Sequence, residues 1–466
     1  MADLDADGDP DVAVTDVNGD VTAWRHDGTL LFRSSANPRF SEESGTDRVN
    51  RHMAGFLAAP AAADLDGDGT LEVVAAALDR HVYAFHADGR AVTGFPVLVV
   101  DPARTRAVDP LTHRVTFDTA KDDEMNGGEL VATPALGDLD GDGHPDIVVG
   151  AQEQYGDESA SVFPPLQFKG LSANTRLYAI ASTGTATPHR GGVDAAPQHP
   201  DEQAYLPGWP VRVPMLMGDV LPLIGDGVNA QVAIANVDYD AAPEVIASSA
   251  AGPLMVFDAD GKSALGRNVD LPVALDWLGT PFGGLANSRD GGVVTAAFGG
   301  PAVGDLDGDG YPDVAAPTVG LTRALDQLLP GHQNGDTQLS AWNPRTAHML
   351  AGFPHKTRDL GFFITPAIVD VDGDGHREVV AGHGVSLVDA VDAQGREPAG
   401  WPKLTGGWVV GTPGFGDVDG DGRAEMAVVR RDGHLMVWST RAPARDTGAW
   451  MRFGHDGTND ANVASP

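Results

Sequence analysis

Short apolar runs recur along this chain, and many of them follow a short acidic segment. One set comprises DVAV (residues 11–14), EVVAAA (72–77), DIVVGA (146–151), EVIASS (244–249) and EVVAGH (378–383). A second set comprises VTAW (21–24), VYAF (82–85), LYAI (177–180), LMVF (254–257), LSAW (339–342) and LMVW (435–438). Runs of this length that are rich in β-branched and aromatic residues favour strands over helices. The chain is therefore predicted to consist mainly of short β-strands.

Two proline patterns predict a further strand on each side of these runs. Five prolines each lie four residues ahead of an acidic segment: Pro60, Pro134, Pro301, Pro366 and Pro413. A Gly-aromatic-Pro step follows the second set at Gly94-Phe95-Pro96, Gly208-Trp209-Pro210, Gly352-Phe353-Pro354 and Gly400-Trp401-Pro402. Proline fits an edge strand, and four strands per repeat is typical of a β-propeller blade. The clearest helical pattern is LTRALDQLLPG (321–331).

The acidic segments are seven copies of one nine-residue loop. They are DLDADGDPD from Asp3, DLDGDGTLE from Asp64, DLDGDGHPD from Asp138, NVDYDAAPE from Asn236, DLDGDGYPD from Asp305, DVDGDGHRE from Asp370 and DVDGDGRAE from Asp417. Six copies have acids at loop positions 1, 3, 5 and 9 and Gly at position 6. Such internal self-similarity indicates a repeat protein.

Alternating acids around a sharp turn place several hard oxygen ligands near one point, and calcium prefers such ligands. The backbone carbonyl of position 7 can add another oxygen. An EF-hand begins in the same way but needs a bidentate Glu at position 12. This chain has Val14, Ala75, Val149, Ala247, Ala316, Ala381 and Val428 there. The EF-hand is therefore excluded, and the alternative to calcium loops is a set of acidic turns without metal.

These loops and runs resemble the FG-GAP (VCBS) repeat family, which is similar to the head of integrin α subunits. The family's Phe-Gly and Gly-Ala-Pro elements survive only in fragments such as FGGPAVGD (298–305) and GTPGFGD (411–417). The resemblance implies an all-β fold, a single seven-bladed β-propeller with four-stranded blades, the first blade being incomplete at the N-terminus. The expected blades are residues 1–48, 49–128, 129–218, 219–290, 291–358, 359–406 and 407–460.

The resemblance also implies calcium as the cofactor, with six strong sites and a degenerate seventh. The implied ligands are Asp3, Asp5, Asp7 and Asp11; Asp64, Asp66, Asp68 and Glu72; Asp138, Asp140, Asp142 and Asp146; Asp305, Asp307, Asp309 and Asp313; Asp370, Asp372, Asp374 and Glu378; and Asp417, Asp419, Asp421 and Glu425. The degenerate site comprises Asn236, Asp238, Asp240 and Glu244. It is expected to bind weakly or not at all, because Asn236 replaces an acid and Ala241 replaces the turn glycine.

Composition narrows the classes of partner. The chain has 66 acidic and 31 basic residues and a formal net charge of −35. This balance argues against nucleic-acid binding, which needs clustered Lys and Arg. The absence of cysteine excludes disulfides and thiolate sites. No apolar run approaches the roughly 18 residues of a membrane span.

The resemblance implies a non-catalytic binding module outside the cell, with a protein or glycan as its ligand. The alternative is the propeller of a polysaccharide lyase or hydrolase, with its active site on the insertions at 101–128, 151–175, 184–206, 262–292 and 319–337. The protein is expected to be monomeric or part of a larger chain.

The two ends of the chain carry separate expectations. MADLDADGDPD (1–11) contains no secretion signal, and only two residues precede the first loop. We therefore expect a fragment whose upstream part holds the missing first strand. WMRFGHDGTND (450–460) is expected to form the last outer strand.

Overall fold

The structure, a computed structural model, describes most of the chain. It describes residues 1–41, 52–118, 125–155, 173–185, 204–215, 227–249, 252–265, 285, 294–296, 299–320, 336–361, 364–446 and 449–463. The helical pattern at 321–331 and much of the predicted insertions lie outside these ranges. Within them the regular structure is β, apart from a 3-10 helix at Pro102–Arg104. The all-β prediction is confirmed.

The strands are short throughout. The first fifteen are β1 (Val12–Thr15), β2 (Asp20–Trp24), β3 (Leu30–Ser35), β4 (Ala61–Ala63), β5 (Glu72–Ala76), β6 (His81–Phe85), β7 (Val97–Leu98), β8 (Thr105–Val108), β9 (Val115–Phe117), β10 (Met125–Asn126), β11 (Ala135–Gly137), β12 (Asp146–Ala151), β13 (Gln154–Tyr155), β14 (Ala173–Ile180) and β15 (Val211–Met215). The next nine are β16 (Ala233–Ala235), β17 (Glu244–Ala247), β18 (Met255–Phe257), β19 (Val294–Ala296), β20 (Ala302–Gly304), β21 (Asp313–Gly320), β22 (Thr337–Asn343), β23 (His348–Met349) and β24 (His355–Thr357). The last eight are β25 (Ala367–Val369), β26 (Glu378–Gly382), β27 (Leu387–Val391), β28 (Lys403–Leu404), β29 (Gly414–Gly416), β30 (Arg423–Val429), β31 (Leu435–Pro443) and β32 (Asn462–Val463).

These strands form seven principal sheets in chain order. Sheet 1 is β1-β2-β3, sheet 2 is β4-β5-β6-β7, sheet 3 is β11-β12-β14-β15, sheet 4 is β18-β17-β16-β32, sheet 5 contains β19 to β24, sheet 6 is β25-β26-β27-β28 and sheet 7 is β29-β30-β31. Two small ribbons, β8-β9 and β10-β13, accompany them. Sheets 2, 3 and 6 contain the four strands that the sequence predicts. In the described residues sheets 1 and 7 have three strands each.

Six of the seven acidic loops join two antiparallel strands in the same register. The residue before loop position 1 pairs with loop position 9, as in Ala63 with Glu72 and Gly304 with Asp313. The first loop keeps this register through a single bridge between Ala2 and Asp11. The prediction that the loop connects two strands is confirmed for the six loops that begin at Asp64, Asp138, Asn236, Asp305, Asp370 and Asp417.

Apolar clusters join each sheet to the next one along the chain. One cluster joins sheets 1 and 2, a second joins sheets 2 and 3, a third extends through sheets 3 to 6, and a fourth joins sheets 6 and 7. The strands that enter the loops are neighbours: β4 lies beside β11, β11 beside β16, β16 beside β20 and β20 beside β25. The apolar core therefore lies between the faces of neighbouring sheets. The loops follow the C-terminal ends of the first strands.

The C-terminal segment 450–463 does not extend sheet 7, so its prediction as the last outer strand is wrong. It crosses the first strands instead. Main-chain N–H groups of Ala62, Leu136, Ile234, Ile368 and Phe415 donate to carbonyls of this segment. Its left-handed residues, including Gly454, prevent a continuous strand. The first strands are sheet edges whose free N–H groups need acceptors, and this segment supplies them.

The outer faces of sheets 1 and 7 remain partly uncovered. Val12 and Val14 of β1 are 36% and 44% exposed, and Leu435 and Val437 of β31 are 65% and 49% exposed. No apolar cluster among the described residues joins sheet 7 to sheet 1. In the described part of the chain, apolar clusters therefore join the sheets continuously from 1 to 7 but do not join sheet 7 to sheet 1.

Candidate metal centres

One hydrogen-bond scaffold recurs in the acidic loops. In all seven, the carboxylate at position 9 accepts the main-chain N–H of position 2 at 2.7–3.1 Å. In all seven, the carboxylate at position 5 accepts the N–H of position 7 at 2.8–3.0 Å. In six, the position 1 carboxylate accepts the N–H of position 6 at 2.9–3.1 Å. The acids thus organise the loop backbone while their remaining oxygens converge.

The backbone explains why glycine recurs in these loops. The six glycines at position 6 have φ between 86° and 96°, and the five glycines at position 4 have φ between 74° and 80°. Position 4 is left-handed even where it is not glycine, at Ala6 (φ 59°) and Tyr239 (φ 64°). Such a conformation costs a residue with a Cβ about 1 kcal/mol. Sequence spacing alone identifies the turn, and the structure identifies two left-handed positions in it.

In the first two loops, acids that the sequence predicts as ligands lie close together. One carboxylate oxygen each from Asp3, Asp5 and Asp11 lies within 4.8 Å of the other two, and Asp64, Asp66 and Asp68 form a similar group. The position 9 acid is buried in every loop. Asp11 and Asp313 are both 0% exposed, and the Oδ1 atom of each is buried without a hydrogen-bond partner. A buried carboxylate oxygen without a donor is costly, and a bound cation would satisfy it.

Burial and nearby carboxylates make three of the position 9 acids hard to ionise without a cation. Burial, followed by the nearby Asp140 and Asp142 carboxylates, raises the pKa of Asp146 to about 8. The same two causes raise the pKa of Asp313 to about 8 and that of Glu378 to about 8. The donor set is therefore all oxygen, negatively charged and partly dehydrated, which fits calcium.

The fourth loop departs from the scaffold at the two predicted positions. Asn236 Oδ1 accepts the N–H of Tyr239 at 2.6 Å, but its Nδ2 donates to the Asp240 carbonyl at 3.0 Å. An amide has only one acceptor oxygen, so it cannot replace both oxygens of a carboxylate. Ala241, where other loops have a left-handed glycine, is not left-handed. The position 9 acid of this loop, Glu244, stays buried, and burial raises its pKa to about 7.

A position that the sequence reasoning missed faces each loop from the third strand of its repeat. The ladders place it opposite the position 9 acid, because Val12 pairs with Trp24, Val73 with Phe85, and so on around the chain. We call these the cross-strand residues: Arg25, His86, Ala181, Asp258, Asn343, Asp392 and Ser439. Arg25 Nε donates to Asp5 Oδ2 at 2.8 Å, and His86 Nδ1 lies 3.1 Å from Glu72 Oε1. These positions could have been identified from the sequence, because each cross-strand residue directly follows a VTAW-like run.

A further group of metal-ligating side chains lies on the C-terminal segment. His455, Asp456 and Asp460 each place one ligand atom within 4.8 Å of the other two. Burial raises the pKa of Asp460 to about 7, with Asp456 adding to the effect. This group has no counterpart among the predicted ligands. In the part of the chain that the structure describes, no helix is long and apolar enough to cross a membrane.

Two repeat-family matches fall on the acidic loops. Residues 3–75 match an FG-GAP-like repeat, and residues 131–163 match the FG-GAP repeat. This chain carries FG-GAP repeats. The first match spans the loops that begin at Asp3 and Asp64, and the second spans the loop that begins at Asp138. The recognition of FG-GAP repeats from the sequence is confirmed. The comparison with curated protein sequences found no match.

The FG-GAP chain is also similar to several solved structures at low identity. It matches BBS1N from the complex with ARL6DN at 11% identity, 95% of this chain, 91% of that chain and a TM-score of 0.45. It matches the Bacillus licheniformis rhamnogalacturonan lyase PL11 at 16% identity, 95% of this chain, 71% of that chain and a TM-score of 0.42. It matches the V. cholerae biofilm matrix protein Bap1 at 15% identity, 97% of this chain, 89% of that chain and a TM-score of 0.39.

Proposed function

We propose that this FG-GAP chain is a seven-bladed, calcium-stabilised β-propeller that serves as a non-catalytic binding module for a protein or glycan outside the cell. The observation that carries the calcium assignment is the repeated loop scaffold, with a buried acid at position 9 of every copy. The packing of sheets 1 to 7 in chain order supports the propeller. The six loops with four acids are the proposed sites.

The loop acids have two separate roles in this proposal. Oxygens of the acids accept main-chain N–H groups and shape the loop, as Oδ1 and Oδ2 of Asp138 do for Gly141 and Gly143 respectively. The other oxygens would hold the ion, whose charge offsets the repulsion among the carboxylates. Because position 9 lies at or near the start of the second strand, an ordered loop also fixes the register of that strand pair.

A calorimetric titration of the metal-stripped protein tests the calcium assignment. We expect saturable calcium binding at several sites and weaker binding of magnesium, which needs a smaller octahedral site. At 100 times its dissociation constant, calcium would stabilise the fold by about 2.7 kcal/mol per site. The absence of both binding heat and thermal stabilisation would leave the loops as acidic turns and would remove the calcium assignment.

Repair of the fourth loop should create an additional site. In Asn236→Asp with Ala241→Gly, the first residue regains two acceptor oxygens and position 6 can adopt a left-handed φ. We expect the titration to gain one calcium site relative to the natural chain. Asn37→Asp is the charge-matched control, because Asn37 lies outside the loops and its Oδ1 accepts the N–H of Arg39, and it should leave the number of sites unchanged. An unchanged stoichiometry in the double variant would contradict this explanation of the degenerate loop.

Binding and catalysis can be separated with a panel of polysaccharides and extracellular proteins. The proposed module should retain a ligand without altering it. A fall in polymer viscosity, or release of unsaturated sugar, would instead favour the polysaccharide lyase or hydrolase. The assay should be run in calcium and in chelator, because a structural ion would affect either function through the fold.

A further inference from the structure

The first acidic loop differs from the others in its internal hydrogen bonds. In the six other loops the N–H of position 4 donates to Oδ1 of position 1 at 2.6–2.8 Å, and the N–H of position 5 donates to the position 3 carboxylate at 3.0–3.2 Å. In the first loop the N–H of Asp7 donates to Asp3 Oδ1 at 3.0 Å, a bond that four other loops share. Asp5, at position 3, is bound by Arg25 instead.

The position of Arg25 in sheet 1 brings its side chain to this loop. It is the cross-strand residue of sheet 1, placed opposite Asp11 by the pairing of Val12 with Trp24. Its Nε donates to Asp5 Oδ2 at 2.8 Å, and the Asp5 side chain is only 18% exposed. The adjacent His26 adds two longer contacts, with Nδ1 3.7 Å from Asp7 Oδ2 and Nε2 3.7 Å from Asp9 Oδ2. Basic groups therefore lie along the acidic loop.

The other six cross-strand residues carry no permanent positive charge. They are His86, Ala181, Asp258, Asn343, Asp392 and Ser439, all within the described ranges. An arginine stays protonated at any pH at which the protein is folded, and its guanidinium matches carboxylate geometry. Among the described cross-strand residues, Arg25 is therefore the one fixed cation that bonds to a proposed ligand carboxylate. Arg377 also contacts a loop, but its Nη1 donates to the main-chain carbonyl of Asp305.

We propose that Arg25 is the resident cation of the first loop and makes this loop the weakest calcium site of the six that carry four acids. The inference rests on the proposed calcium function. The guanidinium offsets part of the carboxylate repulsion, so the loop can form without metal. A calcium ion would have to displace the bond to Asp5 or bind beside a positive charge, and both reduce affinity. Asp11 Oδ1 and Asp5 Oδ1, which are buried without partners, show that an acceptor set for calcium is still present.

Replacement of the arginine tests the proposal. In Arg25→Gln we expect the metal-stripped protein to bind calcium at one site with about 10-fold higher affinity or more, or to gain one tight site. Arg25→Lys keeps the charge and should resemble the natural chain. Arg33→Gln is the matched control, because Arg33 lies in the same sheet and bonds to Asp20, which is not a loop acid. Equal affinities and stoichiometries in the natural chain and Arg25→Gln would overturn the proposal.

A second readout is independent of calcium binding. In chelator, Arg25→Gln should melt at a lower temperature than Arg33→Gln, because the first loop then has four acids and no cation. If the natural chain binds no calcium at any loop, the calcium function fails. The melting difference in chelator would then still report whether Arg25 stabilises the loop. Equal melting of the two variants in chelator would overturn the role of Arg25 as resident cation.

Discussion

Chelation of calcium is expected to lower the melting temperature of this protein by about 10 °C or more at pH 8, and by much less at pH 5. The effect is large because several structural sites would be emptied together. Its pH dependence comes from the buried acids at position 9. Burial raises the pKa of Asp146, Asp313 and Glu378 to about 8 in the protein without metal.

The direction of this pH dependence follows from the number of protons that the folded and unfolded states bind. These acids have ordinary pKa values near 4 when the chain is unfolded. Between about pH 4 and pH 8 the folded, metal-free protein therefore binds more protons than the unfolded chain, so its free energy of unfolding falls as the pH rises. In calcium the ligand carboxylates stay ionised, and this loss of stability disappears. Thermal melts in calcium and in chelator at the two pH values measure it. An equal chelator effect at both would contradict the role assigned to the buried acids.

Asp313→Asn should change stability in opposite directions with and without calcium. Asp313 is fully buried, its Oδ2 accepts the N–H of Leu306 at 3.1 Å, and its Oδ1 has no partner. An amide of the same shape keeps the bond to Leu306 but removes one ligand charge. In calcium we expect the melting temperature to fall by about 3 °C, which corresponds to the loss of one site worth about 2.7 kcal/mol.

In chelator at pH 8 the same variant should melt at a higher temperature than the natural chain. There the substitution removes a buried negative charge that has no cation to offset it. Asp109→Asn is the control, because Asp109 is an exposed turn acid that caps Leu111 and Thr112 outside the loops. It should shift neither melt by a comparable amount. A loss of stability in chelator equal to that in calcium would mean that Asp313 supports the fold without a metal.

Much of the local structure could be predicted from the sequence because its causes are local. Strand composition predicts β5, β12 and β26, and the Gly-aromatic-Pro step predicts β7, β15 and β28. The regular acids and glycines predict the loops. Asn236 and Ala241 could be recognised as defects because amide chemistry and left-handed backbone are properties of single residues.

The cross-strand residues could be predicted from local sequence only in part. Arg25 is separated from Asp5 by twenty positions, and only the register between β1 and β2 brings them together. A pattern search for ligands within one loop does not include a residue from the next strand. The burial of Asp146 and Asp313 likewise depends on packing between sheets, so the raised pKa of each could not be predicted from loop spacing.

By itself, the sequence determined the repeat, most of the strands that flank the loops and the positions of the acidic residues proposed as ligands, because these depend on residue types a few positions apart. Only the tertiary structure decided where the C-terminal segment runs, since the unpaired edges of distant first strands provide its hydrogen-bond partners. It also decided that Val14 and Val437 stay exposed at the two ends of the row of sheets. Those outcomes depend on which faces meet, and contacts between faces are set by the whole chain.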